Sequence, residues 1–187
     1  MTTLENRGNA ALVVIDMQNG VVAEAYRRDA VIEVVRTLIE HARREGMPVI
    51  WVQHTDDELA EGSVAWQFVD GLVPQAQEPV VYKRYRDAFE DTGFEDLCSR
   101  LHAGKLVVTG AQTDMCVRST LHGALVRGYD AVLVGDGHTT IDRTRQGAPT
   151  ADAVIRHTNL YWSGQRAPGR SGDVIASADF LMHIRGG

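Results

Sequence analysis

The strongest constraint on the fold is a repeated alternation between short apolar runs and longer segments with apolar residues at helical spacing. The apolar runs lie at 11–16, 48–52, 80–82, 106–108 and 131–134, and the helical patterns at 31–42, 94–102, 115–127 and 151–162. This alternation favours parallel strands joined by helical crossovers. Uninterrupted apolar strands indicate a sheet buried on both faces. The sequence therefore predicts a three-layer α/β/α fold with a central, mainly parallel sheet in a Rossmann-like, doubly wound arrangement.

Size and charge exclude several classes of protein. A chain of 187 residues with 44% hydrophobic residues supports one core, so we expect a single domain over 1–187. The formal net charge is −6, with no long basic run, which argues against a nucleic-acid partner. The N-terminus lacks the pattern of a signal peptide and no apolar stretch is long enough to span a bilayer. We therefore expect a cytoplasmic protein that does not contact a membrane.

Three chemically reactive residues follow predicted strands. Asp16 ends the first strand, Lys83 follows the third, and Cys116 lies just past the fourth, where a helix begins. Taken singly, they are typical of a turn-forming Asp, a solvated Lys and a packed Cys. Ligands of a parallel sheet bind beyond the carboxyl ends of its strands, so the fold sends all three to one edge. Their positions predict a catalytic triad.

The chemistry of the three residues fits a nucleophilic thiol. A helix N-terminus and a nearby ammonium can lower the pKa of a Cys from about 8.5 into the range ~4–7. Lys83 would lie between Asp16 and Cys116, and Asp16 would take the thiol proton and later donate it to the leaving amine. Backbone N–H groups in the turn before Cys116 would stabilise the oxyanion.

The segments LVVIDMQNG, VVYKRYRDAF and VVTGAQTDMCVRSTLHGALVRGYD resemble the isochorismatase-like cysteine hydrolase superfamily, which includes nicotinamidases, N-carbamoylsarcosine amidase and streptothricin hydrolase. The resemblance implies that Asp16, Lys83 and Cys116 are catalytic. It also implies a cis peptide at Ala111–Gln112 and an oxyanion hole made by the N–H groups of Gln112 and Cys116. Relatives are commonly oligomeric, so we expect a homo-oligomer, a dimer or a tetramer.

Metal binding is the point at which the chain departs from nicotinamidases, which hold a divalent metal through an Asp-x-His pair and a further His after the second strand. That loop here reads WVQHTDDELAEGS, with His54 as its one histidine. One imidazole with scattered acids is a weak set of ligands, so we expect no metal and no other cofactor. Gln53 occupies a position where metal-free relatives often carry a substrate-facing polar residue.

These features leave three functions open. With Cys116 present, the favoured function is hydrolysis of a small amide, carbamoyl or lactam C–N bond through a thioester. Asp16 and Lys83 alone would also support isochorismatase-type hydrolysis of a vinyl ether. A ligand-binding homologue with an inert site is the third possibility. Phosphoryl-receiver and haloacid-dehalogenase motifs need a second acid soon after Asp16, where Met17 and Gln18 stand, and no Gly-rich phosphate loop follows a strand.

Several other residues have a place in the pattern that suggests a role. His138, after the fifth strand, is a candidate substrate contact, and Trp66 in the irregular stretch 54–79 is a candidate pocket wall. Cys98 has apolar neighbours at helical spacing and is predicted to be a packed core thiol. Arg166 and Arg170 fall in the irregular stretch 164–173, which favours a mobile surface loop over a clamp for an anionic substrate.

Overall fold

One sheet organises the part of the chain that the computed structural model describes, residues 2–183. Its strands are β1 (Asn9–Ile15), β2 (Val49–His54), β3 (Val80–Lys83), β4 (Ala103–Ala111), β5 (Asp130–Thr139), β6 (Arg166–Ala167) and β7 (Arg170–Ile175). They lie in the order β3-β2-β1-β4-β5-β7-β6. Every neighbouring pair is parallel except β6 and β7. The predicted, mainly parallel sheet is confirmed.

Helices cover both faces of this sheet. They are α1 (Asn19–Val22), α2 (Arg28–Arg44), α3 (Phe94–Arg100), α4 (Arg118–Arg127), α5 (Ala151–Trp162) and α6 (Ser177–His183). One core cluster joins α2 and α6 to the sheet, through Leu38 and Phe180. The other joins α3, α4 and α5, through Phe94, Leu121 and Trp162. None of the helices described between residues 2 and 183 is both long and apolar enough to cross a membrane.

Two segments predicted to be irregular contain strands. β5 runs on to Thr139, so the start of the stretch 136–150 pairs with the end of β4. The stretch 164–173 contains β6 and most of β7. Neither segment has an apolar run, because the end of β5 reads GDGHT and β7 reads RSGDVI. The end of β5 buries glycine, histidine and threonine in place of large apolar side chains, and β7 is mostly half-buried, so neither segment forms an apolar run.

The interpretation of Arg166 and Arg170 as part of a mobile loop is wrong. Arg166 Nη1 donates to the carbonyl of Gly172 at 2.8 Å, and the Arg170 guanidinium donates to the carbonyl of Leu125. Both residues lie on β6 and β7, at the opposite edge of the sheet from β3. Their guanidinium groups therefore donate to backbone carbonyls and do not line the pocket described below.

The two central strands approach unusually closely where β4 ends. Gly110 has a φ of +118°, in the region that favours glycine. A Cβ at this position would lie 2.8 Å from the nitrogen of Ile15 and closer still to its carbonyl oxygen. Only glycine fits here. The chain turns outward from the sheet immediately afterwards, and this turn carries the residues of the candidate site.

Candidate active site

The structure brings the three predicted catalytic residues together beyond the carboxyl ends of the strands. The chain order of the sheet reverses between β1 and β4, which opens a crevice at that edge. Asp16 follows β1, Lys83 ends β3, and Cys116 lies in a π-helical turn, Thr113–Val117, that follows β4. Lys83 Nζ is 2.7 Å from Asp16 Oδ2 and 3.2 Å from Cys116 Sγ. The ammonium therefore bridges the carboxylate and the thiol, as the sequence predicts.

Lys83 and Asp16 form a buried ion pair, with side-chain exposures of 0% and 1%. Burial lowers the pKa of Lys83, but the adjacent Asp16 carboxylate and Cys116 sulfur raise it by more, so the pKa lies above its ordinary value. Lys83 is therefore a permanent cation in the resting site. This cation lies where negative charge would develop during attack by the thiol.

The pKa of Cys116 is raised in the structure, whereas the sequence indicates a lowered one. Burial raises the pKa of the thiol, the Asp16 carboxylate raises it further, and Lys83 lowers it, with a net result of about 12. The expectation of a thiolate with a pKa of ~4–7 counted the ammonium but neither the burial nor the carboxylate. The resting site therefore holds a neutral thiol beside an ion pair. Reaction requires a base that takes the proton as the sulfur attacks.

Asp16 has the geometry of that base. Its φ of 47° lies in the left-handed region, which Asp tolerates better than most residues. Its Oδ1 is buried without a hydrogen-bond partner among the described residues, and its carboxylate lies within 4.8 Å of Cys116 Sγ. A buried carboxylate oxygen with no fixed donor is free to accept a proton.

The turn that carries Cys116 begins at a cis peptide bond between Ala111 and Gln112, the position that the family resemblance implies. The Gln112 side chain holds two neighbouring segments. Its Nε2 donates to the carbonyl of Val21 at 3.1 Å, and its Oε1 accepts from Arg143 Nη2 at 2.7 Å. Beyond Gln112, the helix predicted near 115–127 begins as a π-helical turn and continues as α4.

A pocket of about 440 Å³ opens above Asp16 and Cys116. Its apolar wall consists of Val21, Leu59, Ala65, Met115 and Ile141. Its polar wall consists of His54, Asp56, Glu58, Arg86, Gln112 and Arg143. Most of these residues come from connections between strands, whose conformation periodicity does not reveal. Gln112 and Met115 fall in the quoted segment that carries Cys116, Arg86 in the segment VVYKRYRDAF, and His54, Asp56 and Glu58 in the loop after the predicted second strand. No sequence pattern indicates that these residues share one pocket.

Gln53 and Trp66, predicted to contact substrate, are not among the residues that line this pocket. Gln53 is buried, and its Nε2 donates to the Trp66 carbonyl at 2.8 Å. The Trp66 indole donates to Thr55 Oγ1 at 2.9 Å and stacks on Tyr82 at a centroid distance of 5.9 Å. Through these contacts both residues hold the connection between β2 and β3 against the sheet.

His138, the third candidate substrate contact, is also absent from the pocket wall and is 1% exposed. Its Nε2 donates to Asn159 Oδ1 at 2.9 Å, because the Asn159 amide nitrogen already donates to Gly135 O. Its Nδ1 therefore accepts from Thr113 Oγ1, at 2.8 Å. Thr113 is the first residue of the turn that carries Cys116, so this hydrogen bond from Thr113 to His138 supports the turn.

This environment makes the stability of the protein depend on pH through His138. Burial lowers the pKa of His138 from 6.5 to about 4. Between these values the unfolded chain binds a proton that the folded chain excludes, so stability falls as the pH drops, by about 3 kcal/mol in all. We expect His138→Gln to flatten this part of the profile, as measured by urea unfolding between about pH 4 and 7. The exposed His157→Gln is the control, and equal slopes in both variants would contradict the assignment.

The fourth residue beside the triad is His54, which together with Asp16 and Cys116 forms the one group of possible metal ligands found within residues 2–183. Lys83 Nζ lies 3.1 Å from His54 Nδ1, as well as beside the other two side chains. The space shared by the three ligand atoms is therefore adjacent to a permanent positive charge. The donor set does not fit a divalent cation.

Cys98 is the packed core thiol that the sequence predicts, fully buried on α3. Burial, with a smaller effect of Glu95, raises its pKa to about 12. It lies in the cluster that includes Phe94 and Leu121. Cys98 has no access to the pocket and provides an internal reference for any experiment on Cys116.

Comparison with known proteins supports the sequence resemblance. The Isochorismatase domain family matches residues 10–157. A streptothricin hydrolase from Streptomyces noursei is 35% identical over 171 residues, which are 88% of this chain and 66% of that protein. A protein named a probable inactive nicotinamidase, from Arabidopsis thaliana, is 31% identical over 152 residues, 67% of this chain and 78% of that protein. The chain thus spans about two thirds of the length of the streptothricin hydrolase.

Solved structures show the same fold. The crystal structure of an isochorismatase family protein superposes with a TM-score of 0.81 and 30% identity, covering 91% of this chain and 99% of that one. The matched range 10–157 includes Asp16, Lys83 and Cys116. The chain therefore belongs to the isochorismatase family.

Proposed function

We propose that this protein cleaves the C–N bond of a small amide, carbamoyl compound or lactam through a thioester on Cys116. The observation that carries the proposal is the placement of Cys116 Sγ 3.2 Å from Lys83 Nζ, which is itself 2.7 Å from Asp16 Oδ2, at the floor of a pocket. A vinyl-ether hydrolase needs an acid but has no use for a nucleophile. The buried thiol beside a base therefore favours attack on a carbonyl carbon.

The first half of the reaction forms the thioester. As Cys116 Sγ attacks the carbonyl carbon, the thiol proton moves to Asp16, which supplies the base that a thiol of raised pKa needs. The carbonyl oxygen becomes an oxyanion, and we assign its stabilisation to the backbone N–H groups of Gln112 and Cys116. The C–N bond then breaks as Asp16 returns the proton to the nitrogen. The nitrogen leaves as ammonia or an amine, except in a lactam, where it stays on the acyl chain as a free amine.

The second half releases the acid. A water molecule attacks the thioester carbon while Asp16 takes one of its protons, the oxyanion forms again, and the C–S bond breaks. The proton on Asp16 passes to the departing sulfur, which regenerates the Cys116 thiol. Lys83 remains charged throughout and stabilises the negative charge as it moves between carboxylate and sulfur.

The thioester is the intermediate to detect. We expect an acid-quenched reaction to show a mass increase on the Cys116 peptide equal to the acyl group of the substrate, and hydroxylamine to convert that acyl group into a hydroxamate. Suitable substrates are streptothricin, small primary amides, N-carbamoyl amino acids and lactams. Amide turnover that persists in Cys116→Ala, with no adduct in the wild-type protein, would contradict the proposal. Hydrolysis of a vinyl ether by both proteins, with none of these amides cleaved by either, would instead support the alternative in which Asp16 acts as the acid without a nucleophile.

A further inference from the structure

His54 lies beside Lys83 but has no role in the proposed reaction. An ammonium has three N–H donors, and Lys83 Nζ has three acceptors at hydrogen-bond distance. These are Asp16 Oδ2 at 2.7 Å, His54 Nδ1 at 3.1 Å and Cys116 Sγ at 3.2 Å. Removing any one of them would leave a buried charged donor without its partner, which is costly.

The contact with Lys83 fixes the tautomer of His54. Lysine only donates, so His54 Nδ1 accepts and the ring proton lies on Nε2. Nε2 is 3.1 Å from Asp56 Oδ2. Asp56 Oδ1 accepts from the backbone N–H groups of Glu58 and Leu59, at 2.9 and 2.8 Å. The imidazole is therefore held from both sides.

The backbone of His54 is fixed as well. Its N–H donates to Gln18 Oε1 at 2.8 Å, and its carbonyl accepts from Gln18 Nε2 at 2.9 Å. Gln18 is fully buried. The backbone of His54 is consequently tied to the segment just after Asp16. Together with the ring contacts to Lys83 and Asp56, this gives the ammonium a defined acceptor.

We infer that His54, oriented by Asp56, is a positioning residue that holds Lys83 Nζ between Asp16 and Cys116. The inference rests on the proposed function. Without the imidazole the ammonium has two acceptors for three protons and moves toward the carboxylate, which attracts it more strongly than a neutral thiol does. Lys83 would then lower the pKa of Cys116 less, and the thiolate would form less readily. Asp56 is 45% exposed, so its share of the effect is smaller than that of His54.

Two substitutions separate the contacts of the two ring nitrogens. An Asn side chain places an amide oxygen near the position of Nδ1, so His54→Asn keeps the acceptor for Lys83 and loses the contact with Asp56. A Gln side chain reaches the position of Nε2, so His54→Gln keeps a donor for Asp56 and loses the acceptor. We expect kcat to fall about 10- to 100-fold in His54→Ala and His54→Gln and to stay within about 3-fold of wild type in His54→Asn.

The second readout is the rate at which iodoacetamide alkylates Cys116 at about pH 8, measured by peptide mass spectrometry with Cys98 as the internal reference. The rate follows the thiolate fraction, so it should fall in His54→Ala and His54→Gln and recover in His54→Asn. Asp56→Asn should give a smaller decrease of the same sign. Its matched control is Asp57→Asn, an exposed neighbour in the same connection.

The outcomes are distinct. Wild-type kcat and alkylation in His54→Ala would overturn the inference. A loss confined to KM, with unchanged alkylation, would instead make His54 a substrate contact and would also overturn it. If the wild-type protein cleaves no amide, the proposed function fails, whereas the alkylation rates still decide whether His54 positions Lys83.

Discussion

Replacing Asp16 by Asn should lower kcat for an amide substrate by about 10³- to 10⁴-fold, the contribution expected of a general acid and base, while making Cys116 easier to alkylate. The opposite signs follow from the two effects of the carboxylate. It accepts and returns the reaction proton, and it also raises the pKa of the thiol. With Asn in its place, Lys83 is left without an anion and stabilises the Cys116 thiolate instead.

Steady-state kinetics and the iodoacetamide rate at about pH 8 test this prediction on the same preparation. Cys98, whose pKa is raised mainly by burial, should react slowly in both proteins and shows whether the variant remains folded. Lys83→Met should change alkylation in the other direction, because it removes the charge that lowers the pKa of Cys116. A decrease of both activity and alkylation in Asp16→Asn would mean that Asp16 supports the structure without acting as the base.

Gly110→Ala should destabilise the fold by about 3–5 kcal/mol, the sum of a strained backbone conformation and an overpacked site. The φ of +118° is unfavourable for alanine, and the new Cβ would collide with the backbone of Ile15. Because β1 and β4 lie at the centre of the sheet, neither strand can move away without disturbing its other neighbour.

Gly147→Ala is the matched control for this substitution. Gly147 also has a positive φ, +84°, but a Cβ there would meet nothing within 4 Å. It should therefore cost only the backbone contribution, about 1–2 kcal/mol. Urea unfolding of both variants gives the two values. Equal destabilisation would show that the strands separate readily at Gly110 and that the close approach has no energetic weight.

The arrangement of the triad could be predicted because it depends on topology. Asp16, Lys83 and Cys116 each follow a strand, and a parallel sheet sends all such residues to one edge whatever the loops do. The thiol pKa could not be predicted in the same way. It depends on how deeply Cys116 is buried and on the placement of the Asp16 carboxylate, and both are properties of packing.

The pocket walls depend on loop conformation, and the candidate substrate contacts Gln53, Trp66 and His138 do not line this pocket. Gln53 donates to the backbone carbonyl of Trp66, which helps to hold the connection after β2, and His138 contacts Thr113 and Asn159. Arg143 reaches the pocket because Gln112 Oε1 accepts its hydrogen bond, a long-range contact that no local pattern indicates. The sequence of β7, RSGDVI, does not predict a strand because half of its residues are polar.

The burial of Lys83 has a practical consequence for labelling. The chain contains two lysines, Lys83 and Lys105, and its other basic side chains are arginine or histidine. Lys105 is exposed near the start of β4, roughly 20 Å along the strand from the catalytic edge. Amine-reactive dyes and surface linkers will therefore discriminate between the two lysines in the folded protein. Tethering through Lys105 attaches the molecule by the end remote from its pocket and leaves the entrance facing the solution.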